Sequence, residues 1–66
     1  MKTTVNGRER ELRDGMTVGE LLDALGTTRI GVAVACNDAV VRRSQYDEYR
    51  LAQGDRVEII KAVAGG

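Results

Sequence analysis

Residues 16–26 read Met16-Thr17-Val18-Gly19-Glu20-Leu21-Leu22-Asp23-Ala24-Leu25-Gly26, and the signals for both ends of a helix are written into them. Thr17 is an N-cap residue, Glu20 three positions on completes a capping box, and Met16 ahead of the cap can pack on Leu21 as a hydrophobic staple. The helix is therefore predicted to start at Val18. Val18, Leu21, Leu22 and Leu25 recur at i, i+3, i+4 and i+7 and make one apolar stripe, while Glu20 and Asp23 face water and Gly26 can close the helix in the left-handed conformation. One stripe needs one partner. Because the rest of the chain reads as strands and turns, that partner must be a sheet.

On the N-terminal side, Lys2-Thr3-Thr4-Val5 is β-prone and Asn6-Gly7 supplies the positive φ angles of a tight turn, after which Arg8-Glu9-Arg10-Glu11-Leu12 returns. The returning arm has Leu12 as its only apolar residue, so it is predicted to be an exposed strand whose charges discourage edge-to-edge association. On the C-terminal side, the apolar run Ile30 to Cys36 alternates through Val32-Ala33-Val34-Ala35-Cys36, and Asn37-Asp38 can turn it into Ala39-Val40-Val41. Cys36 shares the parity of the valines and has no neighbour that would activate a thiolate, so it reads as a small buried residue. Between Arg42 and Leu51 the pattern is irregular, with a short turn over Ser44 to Asp47 and with Tyr46, Tyr49 and Leu51 as packing anchors over one end of the core. Gln53-Gly54-Asp55 makes a further turn, and Arg56-Val57-Glu58-Ile59-Ile60-Lys61 is the last strand. These elements make an α+β domain of two layers, a sheet covered on one face by one helix.

Composition narrows the chemistry. The chain has 66 residues, no Pro, His, Trp or Phe, and one Cys. A domain of this size has room for one small core, which excludes a multi-domain enzyme. One Cys cannot form an internal disulfide, and without His there is no Cys/His zinc cluster and no histidine base for a Ser-His-Asp or Cys-His site. Ten basic and ten acidic residues cancel, so no net field gathers nucleic acid or an anionic membrane. The Arg42-Arg43 doublet reads as a solvated turn flank, and two tyrosines are a poor platform for stacking bases. No apolar run approaches the roughly 20 residues of a membrane span, and Met1-Lys2 leads into polar threonines, so the chain is expected to be cytoplasmic.

With no histidine, metal cluster or phosphate loop, the candidate reactive group is the terminus. After the last strand the sequence runs Ala62-Val63-Ala64-Gly65-Gly66. Glycine lacks a Cβ, so a Gly-Gly end is thin enough to enter a narrow channel in another protein. The Gly66 carboxylate would there be a substrate, ionised at neutral pH and inert until an oxygen becomes a good leaving group, as adenylation by ATP makes it. The plainer reading of Gly65-Gly66 is a frayed end. Strand parity adds a second candidate: if Val57 and Ile59 face the helix, then Glu58, Ile60 and Ala62 face the other side, and Ile60 and Ala62 become candidate docking residues near the tail, or merely singly exposed apolar residues.

Several segments together carry a resemblance that covers essentially the whole chain. The capped helix behind an N-terminal hairpin, Val32-Ala33-Val34-Ala35-Cys36-Asn37, Arg43-Ser44-Gln45-Tyr46, Gly54-Asp55-Arg56-Val57-Glu58-Ile59-Ile60 and the closing Gly65-Gly66 resemble the ThiS family of sulfur carriers of thiamin biosynthesis. The resemblance implies a ubiquitin-like β-grasp fold, a mixed sheet of four to five strands packed on one α-helix, with the first and last strands parallel at its centre. Residues 1–62 would form the domain and residues 63–66 a flexible tail. The resemblance also implies that the chain is no enzyme. An E1-like partner, ThiF, would adenylate Gly66 with ATP, a sulfur donor system would convert the adenylate to a thiocarboxylate, and thiazole synthase, ThiG, would receive the sulfur. The carrier would bind no cofactor or metal itself. Only Gly65 and Gly66 inherit a direct role, and Ala64 stands where relatives often have a third glycine. Sulfur delivery to molybdopterin, a ubiquitin-like modifier conjugated through Gly66, and a β-grasp interaction module with an inert tail stay open on the residues alone.

Overall fold

The computed structural model describes residues 1–61. Five strands, β1 (Lys2–Val5), β2 (Arg8–Glu11), β3 (Val32–Cys36), β4 (Ala39–Val41) and β5 (Arg56–Lys61), form one sheet in the order β2-β1-β5-β3-β4. A single helix, α1 (Val18–Ala24), covers one face, and one turn of 3-10 helix spans Arg43–Gln45. β1 and β5 run parallel, with Thr4 opposite Arg56 and Val5 opposite Val57, and the other neighbouring pairs are antiparallel. This is the expected β-grasp arrangement.

Both hairpins turn where their sequences require it. Asn6 and Gly7 have φ of 51° and 80°, and Asn37 and Asp38 have φ of 52° and 70°, the backbone that matches the twist of the flanking strands. Two boundaries differ from the sequence reading. β2 stops at Glu11, and Leu12 leaves the strand to pack against the core while its amide and the Met1 carbonyl close the hairpin mouth. β3 starts at Val32, because Gly31 at φ 77° bends the chain and leaves Ile30 outside the ladder, exposed.

The helix ends carry the predicted chemistry. Thr17 Oγ1 accepts from the Glu20 N–H at 3.1 Å, and the Thr17 N–H donates to Glu20 Oε1 at 2.9 Å. The amides of the first turn that the box does not serve are also bonded: Val18 N–H donates to the Tyr49 carbonyl and Gly19 N–H to that of Tyr46, at 3.0 and 2.8 Å. The irregular segment is thereby stitched to the start of the helix. At the other end Thr27 N–H donates to Leu22 O and Gly26 N–H to Asp23 O, a Schellman cap with Gly26 at φ 69°.

Val18, Leu21 and Leu22 of the helix are buried against Val5, Val34, Cys36, Val41 and Val57 of the sheet, and Tyr46 and Leu51 are buried at the end of this core. Leu25, the fourth residue of the stripe, lies half-buried at its edge with Met16, Tyr49 and Ile59. Loss of water contact by these side chains is the main favourable term, at roughly 1.5–3 kcal/mol for each fully buried aliphatic residue. No buried side-chain nitrogen or oxygen among the described residues lacks a hydrogen-bond partner.

Candidate functional site

β5 is the element that carries the chain toward Gly66, and its alternation assigns its two faces. Val57 is fully buried and Ile59 half-buried on the helix side, whereas Glu58 and Ile60 point to the uncovered face of the sheet, with Ile60 62% exposed. Ile60 stands opposite Ala33, and Glu58 opposite Ala35, which in turn faces Val40 of β4. Cross-strand partners share a face, so Ile60, Ala33, Ala35 and Val40 lie together on the uncovered side. The parity prediction for Ile60 therefore holds as geometry. Ala62, Ala64, Gly65 and Gly66, the other residues of the predicted site and tail, lie outside the described residues.

Two asparagine side chains grip β5 from opposite edges, and neither grip was read from the sequence. On the β1 side, Asn6 Oδ1 accepts from the Ile59 N–H at 2.7 Å and Asn6 Nδ2 donates to the Ile59 carbonyl at 3.3 Å. On the β3 side, Asn37 Oδ1 accepts from the Arg56 N–H at 2.9 Å, its own N–H donates to the Arg56 carbonyl at 2.8 Å, and its Nδ2 donates to Asp55 Oδ1 at 3.0 Å. Both asparagines occupy positive-φ turn positions, where that residue type is expected on backbone grounds alone. Arg56 adds ion pairs to Asp38 and Glu58 on the open face.

The reactive groups away from β5 offer little chemistry. Cys36 is buried beside Tyr49, and burial pushes its thiol pKa up, so the thiolate that would react is disfavoured. No cluster of three or more His, Cys, Asp or Glu residues that could hold a metal ion occurs among the described residues. A shallow polar recess is lined by Lys2, Thr3, Thr4, Glu9, Gln53 and Gly54. It lies at the Arg56 end of β5, opposite the end from which the chain departs. No helix of the described residues is long and apolar enough to cross a membrane.

Comparison with known proteins completes the description. The sequence model of the ThiS family matches residues 3–66. The sulfur carrier protein ThiS of Escherichia coli is 32% identical over 66 residues, covering 100% of both chains. A thiazole synthase of Paramagnetospirillum magneticum is 39% identical over 66 residues, and here the chain spans only 20% of the relative's length. Among solved structures, a crystal structure of a thiamine biosynthesis protein, ThiS, from Geobacter metallireducens superposes with a TM-score of 0.85 at 33% identity, covering 100% of both chains.

Proposed function

This chain belongs to the ThiS family and is a sulfur carrier of thiamin biosynthesis, and from that premise we propose that the sulfur is carried on its own terminal carboxylate, at Gly66. The observation that supports this reading is the position of β5. The central strand runs to Lys61, and five residues, 62–66, separate it from the carboxylate. At 3.3–3.6 Å per residue, five residues span at most about 18 Å, so the group to be modified is tied closely to a rigid element.

The chemistry proceeds in balanced steps. The Gly66 carboxylate attacks the α-phosphorus of ATP on an E1-like partner, ThiF, giving an acyl adenylate and releasing pyrophosphate. Sulfur at the sulfide level, supplied by a donor system, then attacks the acyl carbon, displaces AMP and leaves a thiocarboxylate. Thiazole synthase, ThiG, takes the sulfur at the sulfide level, and an oxygen from water or from the sulfur acceptor replaces it on the acyl carbon, so that the carrier returns as a carboxylate. ATP is bound by the partner, and the carrier contributes no catalytic group and holds no cofactor. Ala64 and Gly65 lead the carboxylate into the partner's site, because small residues admit close approach of the backbone. A segment like this chain makes up a fifth of one thiazole synthase, which supports a working relationship between the two proteins. Ile60 and Ala62 are proposed to dock the partners, Ile60 from the open face of the sheet. A cytoplasmic location, where ATP is at hand for the partner, fits this reaction.

Intact-mass spectrometry after incubation with adenylating enzyme, ATP and sulfur donor tests the reading. Exchange of one oxygen for sulfur at Gly66 is expected, and deletion of Gly66 should abolish it while leaving the thermal transition in place. Sulfur loading of the truncated protein would overturn the terminal-carboxylate mechanism. Isopeptide-linked adducts in place of the exchange would make the chain a modifier.

A further inference from the structure

The outer strands of the sheet are β2 and β4, and only one of these two edges is guarded against a second copy of itself. In β2, Arg8 and Arg10 stand opposite Val5 and Thr3, both buried, and so lie on the helix side, while Glu9 and Glu11 stand opposite Thr4 and Lys2 on the open side. Antiparallel pairing of the same edge in two copies relates them by a two-fold axis normal to the sheet, which leaves both helices on one face. Two β2 strands would therefore set arginine against arginine and glutamate against glutamate. The edge at β4 has no such guard, since its three residues, Ala39, Val40 and Val41, carry no charge. Cys36 and Ala39 flank a two-residue turn and form its hydrogen-bonded pair, so the alternation of the ladder turns the N–H and C=O of Val40 away from β3. No loop backbone bonds to either group among the described residues, and Val40 is 79% exposed.

We propose that β4 pairs antiparallel with β4 of a second copy of the chain, across a two-fold axis at Val40, and joins the two five-stranded sheets into one. The sequence about Val40 is complementary to itself in this register. Val40 faces its own counterpart, and the two exchange both backbone hydrogen bonds. Ala39 faces the counterpart of Val41, and Asp38 faces that of Arg42, so an acid meets a base at both ends of the joint. Arg42 continues the extended backbone at φ −70° and ψ 144°, is exposed, and joins none of the ion pairs among the described residues. Asp38 bonds Arg56 through one carboxylate oxygen and is 77% exposed, which leaves its other oxygen for a second arginine. This charge complementarity is what selects a second copy, because one short segment supplies both halves of the contact. A joint this short is weak and reversible. It lies beyond β3 from β5, away from the strand that carries the chain toward Gly66.

Sedimentation velocity and amide hydrogen exchange of the full chain, at concentrations up to about 1 mM, test the joint. A dimer should grow in with concentration, and exchange at the Val40 amide should slow as it does. Val40→Pro deletes an N–H that the fold does not use, at an edge position where proline is tolerated, so the thermal transition should stay close to wild type while the dimer is lost. Arg42→Glu sets like charges opposite each other at two symmetric places and should raise the dissociation constant roughly two- to thirtyfold. Asp38→Asn added to Arg42→Glu should recover part of that loss. If the proline variant unfolds, the Arg42 and Asp38 variants decide the matter. A single monomer at every concentration overturns the proposal, as does a dimer that survives Val40→Pro in folded protein or is indifferent to Arg42→Glu. A dimer that leaves exchange at Val40 unchanged forms through another surface and overturns it too.

Discussion

The carboxamide of Asn6 bonds to both backbone groups of Ile59, a residue 53 positions away, and so extends the parallel β1–β5 ladder beyond the last residue of β1. The strand that leads to the tail is thus held beside β1 by a side chain imitating backbone. Asn6→Gly keeps the positive φ of 51° without strain and removes both bonds. At about 0.5–1.5 kcal/mol net for each bond, the loss in unfolding free energy should be about 1–3 kcal/mol in urea titration, with faster hydrogen exchange at the Ile59 amide. Unchanged exchange there would show that the grip holds nothing.

Stability should fall at both ends of the pH scale, for opposite reasons. The Thr17 backbone N–H and then Arg13 hold the Glu20 carboxyl below its ordinary 4.5. Its contribution is therefore complete above about pH 4.5 and is lost as pH falls through the lower folded value. Hydrogen bonds to Glu11 and Asp14 raise the Met1 ammonium above its ordinary 8.0, so that contribution is complete below pH 8.0 and is lost as pH rises through the higher folded value. Urea midpoints measured across pH should show both limbs. Glu20→Gln, which keeps an acceptor for Thr17, should flatten the acid limb alone.

Gly19 offers a contest between two small effects. A Cβ built there would come within 2.5 Å of Asp47 Oδ1 and 2.6 Å of Arg29 Nη2, so Gly19→Ala must push apart the ion pair that links them at 2.8 Å. Both clashing groups are ends of flexible side chains and can move. An exposed pair is worth about 0.2–1 kcal/mol, and alanine in a helix gains about 1 kcal/mol over glycine. The net change should stay within about 1 kcal/mol of zero, and stability should become less sensitive to salt. A loss well beyond that in thermal or urea unfolding would mean that the Arg29 bridge between Asp23 and Asp47 matters more than surface pairs usually do.

What the sequence disclosed and what it hid follow the range of the interactions involved. Thr17 and Glu20, Asn6 and Gly7, and Gly26 act within a few residues of themselves, and each is found in its predicted role. β5 was legible because Val57 and Ile59 alternate with Glu58 and Ile60, and the same alternation placed Ile60 on the open face. Ile30 was less transparent, since the apolar run hid the bend that Gly31 introduces. The grips of Asn6 on Ile59 and of Asn37 on Arg56 were out of reach, because their turn geometry already accounts for both asparagines and nothing local points to partners 53 and 19 residues away. The same holds for Arg29, whose loop position gives no sign that it bridges Asp23 of the helix and Asp47 beyond the 3-10 turn.

The central place of β5 also decides how the domain responds to force. A strand at the margin of a sheet peels from its single neighbour one hydrogen bond after another. β5 has β1 on one side and β3 on the other, so tension applied at Lys61 loads both ladders together, in shear along the strand axis. On the β1 side Asn6, gripping the strand two residues before Lys61, is the first contact to bear that load, and on the β3 side it is the pairing of Lys61 with Val32. A machine that draws in the tail therefore pulls against a strand held along both edges rather than one that can peel from a single neighbour.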